Sequence, residues 1–260
     1  MEKIHSNDED RLEAEKKLEE MRSLEIEGDR KMTEFEEVLV AIVRASMFNF
    51  LKKYNIEYSD DDLILDNILI VKSEEKKDGC VVGGKYEPFS KKIILYLADY
   101  ENSPYFITIL AHELFHQLSH LSLKLRLTEK GNLAGDHSLG LSMQSEDQGV
   151  RVQLFGKIDE AFTEILVERL IRNISEELLT GLQKAYPEEK ETLLKLISHI
   201  NNGEKLNGMK GKSNLSEDEV FDIFIKAYFK GEILPLARLF EEHFGKGWFR
   251  KMGEAYSIVG

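Results

Sequence analysis

Apolar side chains recur along this chain in two rhythms. In the first stretch they fall at Phe35, Val38, Leu39, Ile42, Val43, Met47 and Phe50. Steps of three and four place such residues on one face of a helix. Thr33 followed by Glu36 is a capping-box pair, so the spacing predicts a helix that starts there and ends near Tyr54. The period then shortens. DNILIVKS (66–73), CVVGGKY (80–86) and KKIILYL (91–97) predict three strands separated by charged or Gly/Pro-containing turns. ITILAHELFHQLSHLSLKL (107–125) is apolar almost all round. It predicts a long buried helix over 104–124, with Ser103 as N-cap and Pro104 in the first turn. GNLAGDHS (131–138) reads as a loop, followed by a hairpin of LGLSMQ (139–144), SEDQG and VRVQLF (150–155).

From Ile158 onward the pattern is helical. Helices are predicted over 158–173, 175–186, 188–201, 216–229, 232–244 and 247–257. Pro187 marks one junction, and Ser216 with Glu219 forms a second capping box. NNGEKLNGMKGKSN (201–214) is polar and Gly-rich and reads as a linker. Its GKS ending resembles a phosphate-binding loop, but Leu206 stands where the first glycine would be and no strand precedes it. Segregated strands and helices predict an α+β fold. A small twisted sheet packs on the 104–124 helix, and a mainly helical C-terminal subdomain follows. The expected divisions are a charged N-terminal helix or tail (1–30), a sheet and buried-helix subdomain (31–157) and a helical subdomain (158–260). No internal repeat is present.

Composition narrows the classes. Of 260 residues, 48 are acidic and 35 are Lys or Arg, giving a net charge of -13. Phosphate backbones and anionic lipid surfaces need clustered cations, so neither nucleic acid nor membrane is the expected main partner. No apolar run approaches the roughly 20 residues that span a bilayer. The opening MEKIHSNDED is too polar for a secretory signal, and Cys80 is the single cysteine, which excludes an internal disulfide. A cytoplasmic protein is expected, with non-classical export left open. Cys80 itself begins an apolar strand and reads as a small core residue.

The chemistry concentrates in His112-Glu113-Leu114-Phe115-His116. Residues four apart on a helix differ by about 40° in azimuth and about 6 Å in height, so both imidazoles leave one face. Two histidines so placed can share a zinc ion, with the glutamate beside the first near a bound water. Zinc lowers the pKa of that water toward roughly 7, and a carboxylate can take its proton as it attacks a carbonyl. Ile107, Ile109, Leu110, Ala111, Leu114, Phe115 and Leu118 make the helix a buried one. Burying two imidazoles and a carboxylate without partners is costly, and a metal removes that cost. Catalytic zinc wants a third protein ligand and one open position. The downstream candidates are Glu160 and Glu164, four apart in IDEAFTE (158–164), and His137 beside Asp136 in the GDHS loop. The plainer alternative for the glutamates is a solvated acidic stripe continued by Glu168; for His137 it is loop surface or a substrate contact. His120 extends the histidine row, but on a continuous helix it lies about 12 Å along the axis from His112, too far to share an ion. Oxyanion stabilisation needs a further donor. Arg151 is one candidate, and Tyr228, Tyr256, His199 and His243 are others.

HELFH, then a strand-rich interval, then DEAFTE resembles the gluzincin clan of zinc metallopeptidases, which includes thermolysin-like enzymes and much smaller single-domain relatives. The resemblance covers residues 80–170. It implies a zincin-like fold and peptide-bond hydrolysis, with a peptide or protein as substrate and Zn2+ as cofactor. It casts Glu113 as catalytic base, His112, His116 and Glu160 as metal ligands, and Glu164 as the group that hydrogen-bonds His112. Asp159 stands where the clan commonly has asparagine, and the interval between the two motifs is longer than in thermolysin. In that clan an edge strand beside the cleft pairs with substrate; KKIILYL, directly before the active helix, is the strand expected here. Small relatives carry an N-terminal segment that blocks the cleft, so residues 1–30 are read either as such a segment or as a solubilising tail. Two other classes stay open: a zinc-binding but catalytically inactive regulatory or interaction protein on the same scaffold, and a helical interaction protein with a chance motif.

Overall fold

The computed structural model describes residues 3–4, 16, 30–59, 62–63, 65–72, 75–77, 80–88, 90–97, 103–127, 133–147, 150–176, 178, 186–202 and 215–259. The elements begin with β1 (Lys3–Ile4), α1 (Glu34–Lys52), β2 (Ile68–Val71), β3 (Glu75–Lys77), β4 (Cys80–Val82), β5 (Gly84–Glu87) and β6 (Lys92–Tyr96). Next come α2 (Ser103–Leu118), β7 (Leu121–Leu127), β8 (Leu133–Leu139), β9 (Ser142–Asp147), β10 (Val150–Leu154) and α3 (Gly156–Ile174). The chain closes with α4 (Pro187–Asn202), α5 (Glu217–Lys230), α6 (Ile233–Phe244), α7 (Trp248–Ala255) and β11 (Ile258–Val259). The fold is α+β and mostly helical, with seven α-helices and small sheets among the described residues. No described helix is long and apolar enough to cross a membrane.

The chain forms two compact units. One comprises residues 15–118 and 165–184. In it α1 starts as the sequence predicts. Thr33 Oγ1 accepts from the Glu36 amide, and the Glu36 carboxylate accepts from the Thr33 amide at 2.7 Å. Arg30 closes on the same carboxylate at 2.5 and 2.7 Å, and that bond holds the Glu36 pKa down at about 2. Leu39, Val40, Val43, Met47, Phe50 and Leu51 turn inward. The ring of Phe50 meets Phe115 of α2 edge-on at 6.1 Å. A three-stranded sheet runs in the order β2-β6-β5, with β2 parallel and β5 antiparallel to β6. β3 and β4 form a separate antiparallel ribbon.

KKIILYL is therefore the centre of this sheet, contrary to the expectation that it is an edge. Ile93, Ile94 and Leu95 are all buried, and a continuous apolar run is the mark of a strand covered on both faces. The edges are β2 and β5, and the charged Lys85 and Glu87 of β5 pair with each other, as suits an exposed edge.

The other unit comprises residues 1–14, 119–164 and 185–260. Its sheet runs β1-β7-β8-β9-β10-β11, with β1 parallel to β7 and the later neighbours antiparallel. Two expectations fail here. The buried helix stops at Leu118 and does not reach Leu125, because LSLKLRL (121–127) alternates apolar and polar residues with the period of a strand. Residues 133–138, expected as loop, belong with Leu139 to β8, paired with β7 from Leu121↔Leu139 to Leu127↔Leu133. Gly135 and Asp136 resemble turn residues, and cross-strand pairing overrides their propensity. Helix α5 has the predicted Ser216/Glu219 capping box and ends on Gly231 in the left-handed conformation, φ 70°. Phe162, Phe221, Phe224, Tyr228 and Phe240 are fully buried and form the core of the helical layer. Helix α3 is divided between the units after Glu164.

The readings of 175–186 and of the 201–214 linker fall largely outside the described residues. The same holds for the 1–30 tail, apart from β1, Lys16 and Arg30.

Candidate metal centre

Helix α2 presents its chemistry on an otherwise apolar rod. Leu110, Ala111, Leu114 and Phe115 are fully buried. Glu113 and His116 are only 5% and 6% exposed, and His112 is half-buried. The four-residue step does what the spacing predicts: the two Nε2 atoms lie 3.1 Å apart, with ring centroids at 4.8 Å. Two nitrogens at about 2.0–2.1 Å from one tetrahedral ion would stand about 3.3–3.4 Å apart, so the observed spacing is close to that of a shared ion. Glu160 on α3 completes a group. One ligand atom from each of His112, His116 and Glu160 lies within 4.8 Å of the others. Among the described residues this is the group that could hold a metal ion. Its donor set, two imidazoles and one carboxylate, leaves one tetrahedral position for water or substrate.

Glu113 occupies a place that Gly84 leaves open, and Gly83 beside it does the same for Ile109. A Cβ on Gly84 would sit 2.9 Å from Glu113 Cγ, 3.0 Å from Glu113 Oε1 and 2.6 Å from Ile109 Cγ2. A Cβ on Gly83 would meet Ile109 at 2.6 Å and the Tyr105 hydroxyl at 3.1 Å. Contacts under 3 Å force something to move, so the bare backbone at the start of β5 is what lets that strand press onto α2 beside Glu113. In the sequence this Gly-Gly pair is only part of the strand-like CVVGGKY (80–86). A second missed element is Tyr58. Its hydroxyl donates to the Leu118 carbonyl, satisfying a main-chain acceptor at the C-terminal end of α2. Burial pushes the Tyr58 phenol upward from its usual pKa, with a smaller contribution from the Asp62 charge.

Glu160 lies in the second turn of α3, one turn later than expected, since the helix starts at Gly156. Glu164 follows and is 8% exposed, which does not suit a solvated acidic stripe; Glu168 is half-buried. Just before the helix, Phe155 takes a left-handed conformation at φ 59°. For a bulky side chain that is a strained state, held only by surrounding structure. Its ring lies tilted against Phe249 with centroids 4.6 Å apart, and its amide donates to the Gly253 carbonyl at 3.1 Å.

The remaining candidates are dispersed. His120 is not on the helix at all, so the distance argument against it loses its premise; its amide donates to the Tyr228 carbonyl, and its ring packs against Gly231. His137 lies on β8 opposite Leu123 and Gln144, and Arg151 on β10 opposite Glu146; both side chains are outside those described. Asp136, on β8 opposite Lys124, is likewise placed by backbone alone. Tyr228 is fully buried, with its hydroxyl 2.8 Å from Thr163 Oγ1. His199 stacks on Phe244 at 5.2 Å, and His243 Nδ1 lies 2.8 Å from the Leu239 carbonyl. Both belong to the helical core, and Tyr256 follows α7 half-buried. No family model, curated protein or solved structure matches this chain.

Proposed function

We propose that this chain is a zinc-dependent metallopeptidase of the gluzincin type, built on a zincin-like scaffold and acting on a peptide or protein. One observation carries the reading. The ligand atoms of His112, His116 and Glu160 converge within 4.8 Å, with Glu113 buried beside His112 on the same helix. Zinc bound there would supply the Lewis acidity that polarises a carbonyl and acidifies a water. The protein supplies the rest. Glu113 is the general base: its carboxylate takes the proton of the attacking water and returns it to the departing amine. Glu164 is assigned as the partner of His112, where a hydrogen bond to one ring nitrogen would fix the tautomer and leave the other for the metal. Among the described residues β5 pairs on one side only. Its open side offers main-chain groups to an extended peptide, a mode tolerant of side-chain sequence. Gly84 brings that backbone next to Glu113.

The test is Glu113→Gln. The variant is expected to keep its fold and its zinc and to lose hydrolysis of a quenched peptide library by about 10² to 10⁴-fold. Zinc is counted by atomic absorption and turnover by fluorescence. Undiminished turnover in the zinc-replete variant would remove Glu113 from the role of base. Zinc bound without any hydrolysis by the parent protein would favour an inactive binding module.

A further inference from the structure

A carboxylate ligand is only as well placed as the main chain that carries it. Metal sites tolerate ligand distances to about ±0.2 Å, and Glu160 reaches its site through a flexible side chain. What holds its helix is a chain of hydrogen bonds that starts two residues beyond α2. The His120 carbonyl accepts from the Gly140 amide at 3.0 Å. The next amide, Leu141, donates to Asp159 Oδ1 at 2.6 Å. Asp159 immediately precedes Glu160 and is only 2% exposed. The chain leaving the histidine helix is thus tied, through one tight turn, to the residue next to the glutamate. The geometry of the turn admits little else. Gly140 has φ 59°, and a Cβ there would overlap Asp159 Oδ1 and come within 2.7 Å of the Tyr228 ring. Tyr228 adds to the arrangement: its carbonyl accepts from the His120 amide at 2.8 Å. Its hydroxyl meets Thr163 Oγ1, which donates to the Asp159 carbonyl at 2.9 Å.

We infer that Asp159 is a positioning residue for Glu160, locking the start of α3 to the Gly140–Leu141 turn and so to the chain that leaves the histidine helix. The inference rests on the metal-site reading. It assigns Asp159 neither a metal contact nor a proton. Its side-chain oxygen acts by accepting one main-chain hydrogen bond, so an asparagine amide oxygen at the same place is a sufficient substitute.

Zinc affinity measured against a chromophoric chelator tests this, with the apo-protein melting temperature recorded alongside. Asp159→Ala is expected to bind zinc at least about 10-fold more weakly than the parent, the scale seen when a group orienting a ligand is lost. Asp159→Asn is expected to remain within about 3-fold of the parent, and its cobalt-substituted visible spectrum to match. Gly140→Ala, which leaves Asp159 in place, is expected to weaken zinc as Asp159→Ala does, and it serves if that variant does not fold. Tyr228→Phe removes the hydroxyl bond to Thr163, an outer link of the same arrangement, and leaves the turn in place; it is expected to lower the melting temperature and to weaken zinc by less than Asp159→Ala does. Parent-like affinity in Asp159→Ala or Gly140→Ala, failure of asparagine to rescue, or an equal loss of affinity in Tyr228→Phe would overturn the inference. Failure of the metal-site reading is a separate result: the parent protein would bind zinc no better than His116→Ala.

Discussion

At the scale of single residues, the metal group makes a graded prediction. Glu160→Ala removes a donor and is expected to lose zinc or hold it far more weakly. Glu164→Ala removes only the proposed partner of His112, so zinc should remain stoichiometric at high metal, with affinity or turnover about 10 to 100-fold lower. His137→Ala should leave metal content unchanged. Metal analysis of the three purified variants checks the series; zinc lost from His137→Ala and kept in Glu160→Ala would point to a different donor set. The histidine pair and Glu113 were legible in the sequence because their spacing of four becomes a shared helical face through covalent geometry alone. Glu160 was legible by resemblance to a downstream motif, since its approach to α2 depends on folding. Gly84 was not legible. A glycine in a strand has many causes, and only contact with Glu113 and Ile109 picks out one. Asp159 was readable as a departure from the clan's asparagine, but its bond to Leu141 needed the turn at Gly140 to be seen.

At the scale of elements, the end of α2 matters most, because both histidines sit in its last two turns. Leu121, Leu123 and Leu125 continue the apolar character of α2, so the sequence predicts a longer helix than the one that forms. The strict alternation of LSLKLRL is the signal that a strand begins. Tyr58 marks the true end by donating to the Leu118 carbonyl. Tyr58→Phe is expected to cost about 1 kcal/mol at neutral pH, the usual net value of one such bond. It should also change the pH dependence. The folded state holds the Tyr58 phenol above its ordinary value of about 10. The unfolded chain therefore loses this proton first, and the stability Tyr58 adds is complete below about pH 10 and declines above it. Urea unfolding between pH 7 and 11 should show a shallower alkaline decline in Tyr58→Phe; identical slopes would deny Tyr58 that role. Capped helices fared better than strands in the sequence reading. The boxes at Thr33 and Ser216 are local and appear as predicted. The place of β6 depends on its pairing with both β2 and β5, and its continuous apolar run is the local sign of a central strand.

At the scale of the whole molecule, charge and the open strand act together. The α+β class and the helical C-terminal region followed from the order of the two periods along the sequence, whereas sheet order and the location of the exposed edge did not. The β5 edge, pairing on one side only among the described residues, presents main-chain groups that an extended segment of another copy could also pair with. Against that, the net charge of -13 makes copies repel. Salt withdraws the protection: screening lengths fall from about 10 Å at 0.1 M to about 3 Å at 1 M. Sedimentation velocity is expected to show one slow species in dilute buffer and faster ones in 1 M sodium chloride; a salt-independent profile would mean the edge is closed to other chains. Under the peptidase reading an edge occupied by a neighbour is closed to substrate. Ionic strength then becomes a brake on catalysis, and specific activity in strong salt should fall as the protein is concentrated.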